Sequence, residues 1–137
     1  MDISINYVAV VIAAVASTII GTAWYSVLFG KMWMHAMGIT KERMEGMKKH
    51  GMGKLYGINF VATLVMAYVL AHFVAVWNTV DISGAIQLAF WTWLGFIATV
   101  MVGSILWENK PVKLYYINVS FQLVSLSVMA IILTLWK

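Results

Sequence analysis

Cysteine is absent from the 137-residue chain, which excludes disulfide scaffolds, thiolate metal sites and thiol catalysis. Proline occurs once and low-complexity tracts are lacking, so nothing marks a disordered segment. The scarcest property is charge. Charged residues make up 10% of the sequence and hydrophobic residues 63%, whereas an average soluble domain has about 25% and about 45–50%. Nine cationic and five acidic side chains cannot cover a water-soluble domain of this size, and the length allows one domain at most.

What is present is apolar length. Every charged residue falls outside four uncharged runs, Ile3 to Gly30, Leu55 to Val80, Ile82 to Trp107 and Leu114 to Trp136. Each exceeds the ~20 residues that carry a helix across ~30 Å of hydrocarbon. Backbone amides in lipid must bond within their own segment or around a closed barrel. Barrel strands would be about ten residues long and alternate in polarity, unlike these runs. The sequence predicts an all-α integral membrane four-helix bundle, one domain over 1–137, with spans near 5–28, 55–77, 84–107 and 114–136. Ala14-Val15-Ala16 resembles a signal-cleavage site, but no cation precedes Lys31, so the first run is expected to remain a span.

The connections set the expected orientation. The stretch from Lys31 to Lys54 holds six cations against two Glu, and the turn from Glu108 to Lys113 holds two cations against one Glu. Between spans two and three the only charge is Asp81. The first and third connections share a face and carry eight of the nine cations, so the positive-inside bias predicts N-out/C-out in a cell membrane, the inner membrane in a bacterium. Anionic lipid headgroups suffice as partners for that charge, and no nucleic acid is implied.

The first connection also holds six Met and two His between Met32 and Met52, among them Met34, His35 and Met37. Thioether and imidazole ligands suit Cu(I), yet Met equally suits a helix lying among headgroups. Gly38 can end an extension of the first helix. Thr40 can then cap a short amphipathic cytoplasmic helix, with Glu42 at its positive end and Lys48, Lys49 and His50 at its negative end. Glu45 and Lys49 stand one turn apart. That surface helix, without metal, is the expectation.

Within the spans the informative residues are polar or small. Span four carries Tyr115, Asn118, Gln122 and Ser125, a spacing that forms one stripe. Amides facing lipid would be left without partners at a cost of several kcal/mol, so the stripe faces protein or water. It is either interhelical glue, at about 0.6–2 kcal/mol per contact, or the wall of a polar cavity. Span two adds Tyr56, Asn59 and Thr63 near its inner end and His72 near its outer end, at the depth of Gln87 in span three. Tyrosines aside, His72 is the one deep titratable side chain, and no carboxylate lies inside a span. A lone His without an orienting charge is a poor general base.

Small residues recur four apart at Ala9, Ala13, Ser17 and Gly21, and again at Gly95, Thr99 and Gly103. Such ladders let membrane helices approach closely. One ladder can be consumed inside the subunit and the other can join a homo-oligomer, most simply a two-fold dimer. The longer ladder, in span one, is the expected subunit contact. Leu133 is expected to face lipid. Trp24, Tyr25, Trp33, Tyr56, Trp107, Tyr115 and Tyr116 are expected in one interfacial belt, and Tyr7, Trp77 and Trp136 in the other. Of the deeper Trp91 and Trp93, at least one N–H should reach a partner such as span four.

The string WYSVLFGKMWMHAMGIT after a small-residue helix, followed by ENKPVKLYYIN and an apolar helix ending in Trp, resembles a family of small four-span membrane proteins, domain of unknown function seventeen sixty-one. The resemblance covers essentially the whole chain. The segment from Trp24-Tyr25 to Trp33 is its most specific part and the turn from Glu108 to Pro111 its second anchor. It implies a multi-pass membrane protein with no assigned activity, and it transfers no catalytic or binding residue.

No Ser-His-Asp set, HExxH, phosphate-cradling glycine loop or paired carboxylate is present, so neither an enzyme nor a cofactor is expected. Size and span count are similar to small multidrug-resistance exporters, but the membrane-embedded Glu of their first helix has no counterpart between Ile3 and Gly30. An oligomeric structural or interaction module is the leading expectation. A channel or transporter for a small solute or ion, using the span-four stripe, is the alternative, and Cu(I) handling is the third.

Overall fold

A computed structural model describes residues 3–49 and 51–137, and every regular element among them is a helix. Helix α1, Tyr7–Leu28, starts at Asn6, whose side-chain oxygen accepts the Ala9 N–H at 3.2 Å and satisfies one of the donors orphaned at a helix start. Helix α2, Gly30–Met37, stops at Gly38, whose φ of 69° is the left-handed conformation that costs glycine least. Helix α3, Lys41–Lys49, is capped by Thr40, which accepts the Arg43 N–H at 3.1 Å. Glu42 lies in its first turn and Lys48 and Lys49 in its last, complementing the helix dipole. The stop at Gly38 and the cap at Thr40 are therefore where the sequence places them; His50 lies outside the described residues.

Helices α4, Gly53–Trp77, α5, Ile82–Leu106, and α6, Val112–Leu135, complete the chain. Asp81 caps α5 by accepting the Gly84 N–H at 2.8 Å. Pro111 directly precedes α6, where its missing donor leaves no helical bond unmade. Helices α1, α4, α5 and α6 are each long and apolar enough to cross a membrane, and their ends fall within two residues of the expected spans.

Helix α6 is the hub. It packs against α1, α5 and α4, and α1 packs against α4, whereas α4 and α5 hardly touch although they are consecutive. The core is built of small residues: Ala9, Ala13, Ala14, Ala67, Ala85, Ala89 and Ala130 are fully buried, together with Met129. Small side chains bring helix axes close, so that packing replaces the hydrophobic drive that lipid removes.

This corrects two expectations. Ala9, Ala13 and Ser17 are buried within the subunit, and a Cβ added at Gly21 would meet the Phe121 ring at 3.2 Å. The span-one ladder is thus consumed by intrasubunit packing and is not free for a second subunit. Leu133 belongs to the core, 5% exposed, because α6 as the central helix has little face left for lipid. The second ladder does the opposite. Gly95 and Thr99 are exposed, and a Cβ at Gly95 would meet nothing within 4 Å.

The start of α1 and the end of α6 meet on one face. The Asn6 amide donates to the Trp136 carbonyl at 3.2 Å, Lys137 Nζ donates to the Thr79 carbonyl at 2.5 Å, and the Thr79 and Thr134 hydroxyls pair at 2.9 Å. This face also holds the α4–α5 turn. The opposite face holds α2, α3 and the α5–α6 turn, and with them eight of the nine cations.

Candidate functional site

Two of the long helices widen by a π-helical turn, Trp24–Leu28 in α1 and Leu94–Ala98 in α5. A π turn adds one residue to the helical ladder and re-aims the side chains around it, and such turns recur at functional sites. In α1 the Phe29 N–H reaches the Trp24 carbonyl at 2.9 Å, and the side chains of Trp24 and Tyr25 reach α6. Trp24 Nε1 donates to the Ile117 carbonyl at 3.0 Å, and the Tyr25 hydroxyl donates to Asn118 Oδ1 at 2.7 Å. From α5, Trp93 Nε1 donates to the Val119 carbonyl at 2.8 Å, and the Ala98 carbonyl accepts the Tyr115 hydroxyl at 2.7 Å. Trp93 is thus the tryptophan that finds span four, while Trp91 stays exposed. Trp24, Tyr25 and Tyr115 tie helix to helix near the helix ends, while Trp77, Trp107 and Tyr116 are exposed.

The polar stripe of α6 divides in two. Tyr115 and Asn118 make the interhelical bonds just given, and Ser125 pairs with Ser17 at 2.6 Å in a buried contact. These three are glue. Gln122 bonds no protein group among the described residues and lines a groove instead.

That groove lies between α1, α4 and α6 and has a volume of about 540 Å³. Its α1 wall is Ser17, Thr18, Thr22, Tyr25 and Ser26; its α4 wall is Tyr56, Asn59 and Thr63 with Met66; Gln122 and Phe121 form the back. Ser26 and Tyr56 stand at the cation-rich face. Thr18 and Gln122 are each ten residues in from the ends of their helices at that face, a depth of about 15 Å and about half the hydrocarbon thickness. Beyond them the Ser17–Ser125 pair and the alanine core close the way. The groove, a partly open polar vestibule, therefore runs from the cation-rich face to near the middle of the molecule.

The other candidates are not brought into it. His72 donates from Nδ1 to the Tyr68 carbonyl at 2.9 Å and packs edge-on against the Tyr68 ring; a carbonyl only accepts, which fixes a proton on Nδ1. Gln87 donates to Ser83 at 3.3 Å, and the cleft it lines between α4 and α5 excludes His72. This cleft is walled by Phe73, Trp77, Trp91 and Phe96. Its one deep hydroxyl, Thr92, is spent on the Leu88 carbonyl at 2.8 Å, which leaves the deep part of the cleft apolar. In α2, Met34 and Met37 share a side, but the helix turns His35 about 100° away from Met34. Among the described residues no group of three His, Asp or Glu side chains is placed to hold a metal ion.

The sequence alone does not single out the hydroxyls of Thr18, Thr22 and Ser26. Their spacing of four was the available signal, and it marks one face of α1 as polar alongside the small-residue ladder.

A protein-family model described as a protein of unknown function, DUF1761, matches residues 8–134. No curated protein and no solved structure matches the chain.

Proposed function

The chain belongs to the DUF1761 family of proteins of unknown function, and from its vestibule we propose that it is a multi-pass membrane protein that binds a small polar solute from one side of the bilayer, as the binding step of a carrier. One observation carries this reading. A groove of about 540 Å³ with polar walls on three helices runs to mid-depth, where polar side chains are costly unless they face protein or water. The packed alanine core beyond it favours a one-sided binding site over an open pore. The vestibule opens to the cytoplasm in this proposal, because the cation-rich connections lie on the face where it begins, and α2 and α3 lie among anionic headgroups there.

The natural absence of cysteine makes the test direct. Single cysteines replace Thr22, Asn59 and Gln122 in inverted membrane vesicles, which are then treated with a charged, membrane-impermeant thiol reagent. All three should react, Gln122→Cys included. Val15→Cys, exposed on α1 outside the groove, should stay unreactive in lipid, where the thiolate does not form. Reaction at Asn59→Cys without reaction at Thr22→Cys and Gln122→Cys would reduce the vestibule to an interfacial notch and end the proposal.

Self-association is the second reading, and the open face of α5 favours it. Gly95 has free space over its Cα, with Phe96 and Val100 about 70% exposed beside it. Light scattering in mild detergent should show a dimer that Gly95→Leu converts to monomer. A monomeric unaltered protein, or a dimer that survives the substitution, removes this interface.

A further inference from the structure

Most hydroxyls of the vestibule have already committed their hydrogens; the exception is Tyr56 at its mouth, whose hydroxyl has no protein partner among the described residues. A Ser, Thr or Tyr hydroxyl has one hydrogen to donate and lone pairs with which to accept. On the α1 wall, Thr18 donates to the Ala14 carbonyl at 2.9 Å, Thr22 to the Thr18 carbonyl at 3.0 Å, and Ser26 to the Thr22 carbonyl. Across the groove, Thr63 donates to the Asn59 carbonyl at 2.8 Å. Tyr25 donates to Asn118 at 2.7 Å, and Ser17 is paired with Ser125. An incoming molecule therefore meets these oxygens as acceptors. Along α1 they stand one turn apart, about 6 Å in rise. Free N–H donors come only from Asn59 on α4 and Gln122 on α6, whose amides have no protein partner among the described residues and which also offer carbonyl oxygens.

Charge narrows the ligand further. The vestibule wall carries no carboxylate to balance a cation and no basic group to hold an anion, and an unpaired charge at that depth is expensive. We infer that the vestibule selects a small uncharged solute with clustered O–H donors, of the polyol class, which turns those donors to the α1 hydroxyls and its oxygens to Asn59 and Gln122. The inference rests on the vestibule being open to water, and it adds to that reading the identity of the wall that does the selecting.

The test keeps the two apart. Met66 lies at the deep end of the groove and makes none of these bonds, so Met66→Cys serves as a reporter of occupancy in the full-length protein. Its reaction with the impermeant reagent is timed alone, with erythritol, and with erythritol tetramethyl ether, which keeps the skeleton and oxygens but has no donor. Erythritol should slow the reaction and the ether should not. Adding Thr22→Val, which deletes one acceptor, should raise the erythritol concentration needed for half protection about three- to tenfold, and Thr22→Ser should restore it. The unprotected rate reports whether the groove remains intact in each variant. No reaction at Met66→Cys in the absence of solute overturns the vestibule itself. Reaction that neither solute slows, equal slowing by both, or protection indifferent to Thr22→Val overturns the assignment of a donor-bearing ligand.

Discussion

Asn118 and Gln122 sit one turn apart on the same helix and meet different fates. Asn118 accepts the Tyr25 hydroxyl at 2.7 Å; Gln122 faces the groove. Replacing Asn118 by Leu strands the Tyr25 hydroxyl in a half-buried position, and a donor orphaned in that way costs about 1–3 kcal/mol. Replacing Gln122 by Leu strands nothing. Thermal unfolding in detergent should therefore show a clear loss of stability for Asn118→Leu and little change for Gln122→Leu. A double variant, Asn118→Leu with Tyr25→Phe, should recover part of the loss, since removing both partners leaves no polar group behind. Equal losses for the two single variants would mean that Gln122 is glue as well.

At the scale of the element, the boundaries follow from local chemistry and the faces do not. Four uncharged runs, a glycine able to turn left-handed at Gly38 and a hydroxyl at Thr40 are features of the chain itself, so helix ends were legible from them. The cap is testable by itself: Thr40→Ala should cost α3 about 1 kcal/mol, seen as faster amide hydrogen exchange over residues 41–49, with exchange in the long helices unchanged. Unaltered exchange in α3 would show that lipid contact rather than the cap holds it. Which face each helix buries was less legible. The small-residue ladders of α1 and α5 look alike in sequence, yet α1 lies against two neighbours and α5 is held by α6 almost alone. The spacing of Thr18, Thr22 and Ser26 was visible too. In membrane helices, however, such hydroxyls commonly bond their own carbonyls, so their identity says nothing of what they face. The groove depends on how helices α1, α4 and α6 pack together, which no local spacing encodes. The π turns at Trp24 and Leu94 carry no marker comparable to a proline.

At the scale of the whole molecule, the start of α1, the end of α6 and the α4–α5 turn share one face, bound to one another through Asn6, Thr79, Thr134 and Lys137. The arrangement fixes which connections travel together without saying which side of a membrane they occupy. Charge is the ground on which we propose that choice. Eight of nine cations belong to the connections on the face where the vestibule begins, and reversing the molecule would carry them all across the hydrocarbon, against the Lys/Arg bias that sets topology. It would also remove the basic loop from the anionic cytoplasmic leaflet, where each Lys or Arg contributes about 1 kcal/mol of attraction. The expected outcome is that reporter fusions after Lys137 and within α3 near Lys48 report opposite sides, with the Lys48 fusion cytoplasmic. Since Lys137 is the one cation on the far face, changing Lys31, Lys41, Arg43, Lys48, Lys49 and Lys54 together to Gln should weaken the bias and produce a mixed population. A cytoplasmic Lys137 fusion in the unaltered chain would turn the vestibule outward and make its solute an external one.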